Sequence, residues 1–120
     1  MGNPITQFQI VSKTPEETAS FYAALFAWNV GAGNAMGYRR IDTGSPDGIQ
    51  GGIWPGPPQA PVFTQLFVSV TDVKATVERA VALGANVIIP PTMLPDGEEM
   101  AILHDPQGMG FGLVRAGEGR

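Results

Sequence analysis

Cysteine is absent from this chain of 120 residues, so neither a disulfide framework nor a thiolate metal site can be built. Histidine occurs once, at His104. Basic residues are few: 7 Lys and Arg face 11 Asp and Glu, for a net charge of −4. They form no cluster, which argues against a nucleic-acid partner. The acidic excess tolerates a cationic ligand without demanding one. No apolar run is long enough to span a bilayer, and no signal-peptide pattern is present. A soluble, cytoplasmic protein without a membrane partner is therefore expected. A Gly-rich phosphate loop and a Ser nucleophile motif are missing too.

Glycine and proline, by contrast, are plentiful, at 16 and 11 residues. They fall between apolar runs and so predict short strands and many turns rather than disorder. A 43% hydrophobic content over 120 residues suits one compact domain with a real core.

The chain carries one turn twice. Ser45-Pro46-Asp47-Gly48 precedes an apolar strand, and Asp105-Pro106-Gln107-Gly108 does the same sixty residues later. Pro suits the second position of such a turn, and Gly a position needing backbone freedom. Superposed, Pro46 meets Pro106, Gly48 meets Gly108 and Gly52 meets Gly112.

The rest of the chain repeats in the same order. Residues 5–12 alternate, with Ile5, Gln7, Gln9 and Val11 on one face and Phe8 and Ile10 on the other. Thr14 is a helix N-cap, Pro15 fits the first turn, and Glu17 is placed to close a capping box. Phe21, Leu25 and Trp28 give that helix an apolar stripe. Residues 29–34 are a weak strand or loop, and 37–43 and 49–54 are strands. A Pro-rich linker covers 55–61. A strand over 61–70 follows, then an N-cap at Asp72, a stripe of Val73, Val77, Ala80 and Val81, and a stop at Gly84. A short strand at 86–89 should end at Pro90-Pro91. After a loop over 92–97 come strands at 98–103 and 109–114, and a frayed tail at 116–120.

Two β-α-β-β-β modules, 4–54 and 62–115, are therefore expected within a single domain spanning 1–120. The fold class is α+β, with curved mixed sheets enclosing a cleft and helices outside. The helices should pack through Phe8, Ile10, Leu66, Val68, Phe111 and Leu113.

FYAALFAWNV at 21–30, Gly51-Gly52-Ile53, the stretch 62–91 and LHDPQGMGFGL at 103–113 together resemble the vicinal oxygen chelate superfamily. That superfamily includes glyoxalase I, the bleomycin-resistance proteins and extradiol dioxygenases. The likeness covers nearly the whole chain. It is nearest to short bacterial glyoxalase/bleomycin-resistance-like proteins with LFGW after the first helix; here Ala27 replaces that Gly. The resemblance implies paired modules around a cavity and a homodimer. In metal-using members it implies ligands at four inner positions, which fall on Gln7, Gly52, Gln65 and Gly112. Two glycines and two neutral amides are a poor donor set for a divalent metal.

The candidate ligand-binding residues are Gln7, Gln9, Gln50, Trp54, Gln65 and Phe67. Gln7 and Gln65 are equivalent in the repeat and should face one another as paired amides, either for a polar ligand group or only for each other. Trp54 and Phe67 have cavity parity, as small-ligand sites require. Trp28 reads as core, Phe63 as a further aromatic, and Tyr38 as a hydroxyl of unassigned face. Asp96, Glu98 and Glu99 cluster; alternation sends one of Glu98 and Glu99 inward, where a carboxylate can serve as a base. A solvated charge run is the plainer reading. His104 and Asp105 point to opposite faces, against a catalytic dyad. The expectation is a protein that binds a small amphipathic or aromatic molecule, with no metal, no cofactor and no assigned catalytic residue. The alternative is a glyoxalase-like lyase or isomerase using a divalent metal or acid–base chemistry in the same cleft.

Overall fold

A computed structural model describes residues 2–95 and 97–115; the tail over 116–120 and Asp96 lie outside the described residues. The chain forms two compact units, Gln7–Gln65 and Leu66–Arg120 with Met1–Thr6.

The first unit is built from β1 (Ile5–Val11), α1 (Pro15–Phe26), β2 (Asn29–Val30), β3 (Arg39–Asp42) and β4 (Gln50–Trp54). Its strands lie in the order β2-β3-β4-β1. β1 and β4 run parallel, and the other neighbours antiparallel. The second half of the chain repeats this with β5 (Phe63–Ser69), whose first residues through Gln65 belong to the first unit, α2 (Val73–Ala82), β6 (Asn86–Met93), β7 (Glu99–His104) and β8 (Gly110–Arg115). Here β5 and β8 are parallel, and β8-β7-β6 antiparallel. Two tandem β-α-β-β-β modules are thus the architecture, as the repeat implied.

The duplicated turn is present in both copies with the same chemistry. The Asp47 N–H donates to Ser45 Oγ at 3.1 Å, and the Gln107 N–H to Asp105 Oδ1 at 2.9 Å. A side-chain oxygen accepting from the N–H two residues on is what stabilises such turns. The glycines differ: Gly108 has φ +93, whereas the positive φ of the first copy belongs to Gly44, not Gly48.

The two helices pack differently. Under α2 lies a cluster of Val70, Val73, Val77, Ala101, Leu103 and Leu113, joined by Val68, Ala80 and Phe111. Asp72 caps α2 by accepting the Ala75 N–H at 3.0 Å. Val81 and Leu66, expected in this contact, are 49% and 48% exposed. Under α1, Ile10, Ile41 and Ile53 meet Phe8, Ala19, Tyr22, Trp28 and Val30. The expected stripe is wrong there: Phe21 and Leu25 are each 58% exposed. The inward face runs through Thr18, Ala19, Tyr22 and Ala23. Trp28 lies beyond the helix end, so it reaches the core without sharing the helix's periodicity. Thr14 is the N-cap, but its side chain makes no capping bond. Instead its N–H donates to Ser12 Oγ, which also bonds Thr18 Oγ1 at 2.6 Å.

β6 does not stop at Pro90-Pro91 but runs on to Met93, with register shifts against β7. β6 is the outer strand of its unit's order, where a missing N–H and a bulge are tolerated.

Candidate functional site

In a parallel ladder, side-by-side residues point to the same face. Gln7 stands beside Gln50, Gln9 beside Gly52, and Val11 beside Trp54. The isoleucines Ile10 and Ile53 take the helix side. The opposite face of the first unit therefore presents Gln7, Gln9, Gln50 and Trp54, the parity read from the sequence.

At the centre of that face are two buried amides. Gln65 Nε2 donates to Gln9 Oε1 at 2.6 Å. Gln9 is 8% and Gln65 4% exposed. Gln65 Oε1 is buried and accepts no hydrogen bond among the described residues. The partner of Gln65 is thus Gln9, not its repeat equivalent Gln7, which is half-buried. Both share one face of β1, so alternation left the choice open, and the tertiary structure places Gln9 as the partner.

Gln50 has a local task. Its Oε1 accepts the Thr43 N–H at 2.6 Å, and its Nε2 reaches the Ser45 carbonyl at 3.4 Å. The amide clamps the β3–β4 turn. Trp54 is half-buried on the Gln9 face.

Two glycines on these faces are covered by rings. A Cβ on Gly52 would overlap the Tyr38 phenol. In the second unit, Gly112 stands beside Phe67 in the β5–β8 ladder, and a Cβ on Gly112 would overlap the Phe67 ring. Tyr38, unassigned from sequence, thereby belongs to the Gln9 face. Phe67 is buried with Met100, Ile102 and Val114. The corresponding face of the second unit is apolar where that of the first carries amides.

Of Glu98 and Glu99, Glu98 is the buried one, at 6% exposed. Alternation from Met100 puts it on the Phe67 side. Glu99 lies 3.8 Å from Arg115. The Asp105 carboxylate is occupied by its turn, accepting from Gln107 and Met109 N–H. Phe63 is half-buried. Trp28 packs in an aromatic cluster, with Tyr22 stacked at 5.5 Å and Phe8 at 5.6 Å, and is core. Arg40 escaped the sequence reading. It stands opposite Gly52, and its parity with Tyr38, two residues earlier, was the available signal.

A fold of two tandem β-α-β-β-β modules defines the glyoxalase/bleomycin-resistance class. The glyoxalase-like domain model matches residues 7–114, and the chain belongs to that family. It is 28% identical over 112 residues to "Putative glyoxylase CFP32" of Mycobacterium bovis and of Mycobacterium tuberculosis. The match takes in 89% of this chain but 42% of theirs, so the chain spans less than half the length of these relatives. A hypothetical protein from Bacillus halodurans superposes with TM-score 0.73 at 13% identity, covering 100% of this chain and 99% of its own. A Streptomyces coelicolor methylmalonyl-CoA epimerase variant gives 0.66 at 19%, covering 95% and 97%. At such identities these structures share the fold alone.

The residues at the four positions where the resemblance implies metal ligands do not fit a metal. Gln7 and Gln65 are neutral, and the Gln65 amide is already turned to Gln9. At Gly52 and Gly112 the space of a ligating side chain is filled by Tyr38 and Phe67. Among the described residues, no group of three or more His, Cys, Asp or Glu is placed to hold a metal ion. Nor is any described helix long and apolar enough to cross a membrane.

Proposed function

We propose that this glyoxalase-like domain binds a small amphipathic or aromatic organic molecule, without a metal, on the face that carries Gln9, Gln65 and Trp54. The observation that supports this is the buried Gln65 Oε1, which finds no donor among the described residues. Leaving such an atom unpaired costs about 1–3 kcal/mol. A ligand hydroxyl or N–H placed on it would recover that cost, and the flanking Trp54 ring would supply apolar contact. The neutral donor set and ring-covered glycines support the metal-free form of the reading. The protein is also proposed to be a homodimer, on family resemblance, with light scattering as the check; a species of 12.6 kDa alone would refute it.

The test is a panel of small hydroxylated and amide-bearing aromatics, scored by thermal shift and then calorimetry, on the wild type and on Gln65→Leu. Ligands of the site should lose affinity about tenfold in Gln65→Leu, the worth of one buried hydrogen bond. Affinities indifferent to Gln65 and to Trp54→Ala would overturn the assignment. The second reading, a glyoxalase-like lyase or isomerase, is favoured by one observation, the buried carboxylate of Glu98 on an apolar face. Stoichiometric metal after dialysis, or a Tm rise specific to Ni, Zn, Mn or Fe that Gln65→Ala abolishes, would put that reading first.

A further inference from the structure

We infer that the ligand of the Gln9–Gln65 face is an organic anion, and that Arg40 is the residue that reads its charge. This rests on the reading of that face as a ligand site, and it adds the chemical class.

The placement follows from register. Arg40 stands opposite Gly52 in the antiparallel β3–β4 ladder, and Gly52 stands beside Gln9 in the parallel β4–β1 ladder. Partners across a ladder project to one side of the sheet. The guanidinium, the Gly52 position and the amide pair therefore form one row on one face. The neighbouring Arg39 projects to the other face, where it lies 3.6 Å from Glu16. Arg40 is exposed and enters no ion pair among the described residues. The acidic group nearest in parity, Asp42, is engaged by its own turn, its Oδ1 accepting the Gly44 N–H at 2.8 Å.

The row has a floor. The Tyr38 phenol lies over Gly52, between the strand that carries Arg40 and the strand that carries Gln9. Glycine at 52 is what lets the ring settle there. A planar ligand laid on this phenol would have a cation at one end and the orphaned Gln65 acceptor at the other. Two interstrand spacings separate the Arg40 and Gln9 backbones by about 10 Å, and the Gln65 amide lies beyond Gln9, hydrogen-bonded to its Oε1 at 2.6 Å. The long Arg40 side chain and the Gln65 amide, reaching in from the two ends, would leave a substituted ring to bridge the remainder. A hydrogen-bond donor at one end satisfies Gln65 Oε1, and a carboxylate at the other meets the fork of Arg40, whose planar donors match carboxylate geometry. The chain's net charge of −4 repels anions at long range, so anion binding here would depend on this local cation.

Matched probes separate charge from shape. Calorimetric titration of the full chain with 4-hydroxybenzoate and with neutral 4-hydroxybenzamide is the experiment. The acid should bind at least about tenfold more tightly, as expected for one hydrogen-bonded charge pair. Arg40→Gln should erase that preference, the acid losing at least about tenfold and the amide much less, with the Tm unchanged. Arg40→Lys should keep part of it, and added salt should weaken the acid alone. Equal binding of acid and amide, a preference that survives Arg40→Gln, or no binding of the acid would overturn the inference. If the amide, or another neutral ligand of the panel, still binds in a Gln65-dependent way, the small-molecule site stands and only the anion assignment falls.

Discussion

The phenol of Tyr38 occupies the space that a side chain at Gly52 would need. Position 52 is one of four where family resemblance implies a ligating side chain, so ring and ligand exclude one another. Gly52→Ala should destabilise the protein by about 1–3 kcal/mol, the usual cost of overpacking. Tyr38→Ala should relieve much of that, so a double-mutant cycle in urea should show coupling of at least about 0.5 kcal/mol. Additive effects would mean that the ring moves aside at no cost.

The Gln9–Gln65 pair predicts an asymmetry. Gln9→Leu leaves the Gln65 amide buried without the acceptor it now uses, and should cost about 1–3 kcal/mol. Gln9→Leu with Gln65→Leu removes both polar groups and should come out near the wild type, or more stable. Denaturant midpoints at constant m-value decide between this and a simple sum of two losses.

Ala27 ends α1 in the left-handed region, with φ 60 and ψ 30, its N–H donating to the Ala23 carbonyl at 3.0 Å. The family resemblance implies Gly at this position. A left-handed L-residue costs roughly 1–2 kcal/mol, partly offset by the entropy glycine would lose. Ala27→Gly should therefore stabilise by about 0.5–1 kcal/mol and raise Tm by a few degrees. An unchanged or lowered Tm would count against this cap geometry.

The inward face of α1 can be tested against the stripe expected from sequence. Tyr22 lies 5.5 Å from Trp28, 6.2 Å from Phe26 and 5.1 Å from Phe21, centroid to centroid. Tyr22→Ala should cost about 2–3 kcal/mol. Leu25→Gln, on the exposed side, should stay within about 0.5 kcal/mol. The reverse order of effects would restore the Phe21–Leu25 face.

The amino-acid sequence by itself determined the repeat, the element order and the strand parity. These are local properties: an Asx- or Ser-turn, an N-cap and a period of two are written in consecutive residues, and Ser45, Asp72, Asp105 and the Gln7/Gln9 face behave as they dictate. Tertiary structure decided what depends on partners far apart in the chain. Alternation could not choose between Gln7 and Gln9 as the mate of Gln65, because a shift of two residues along a strand preserves every face. Nor could it show that Tyr38 covers Gly52, since a glycine's sequence signal is the same whether it frees the backbone or admits a ring. The α1 stripe misled for a similar reason: several spacings of its many apolar residues fit a helix, and only the Ile10–Ile41–Ile53 surface selected Ala19 and Tyr22. Arg40 became visible once the β3–β4 register put it in the row of Gly52 and Gln9, because which charge faces a site is set by pairing between strands rather than by neighbours in the chain.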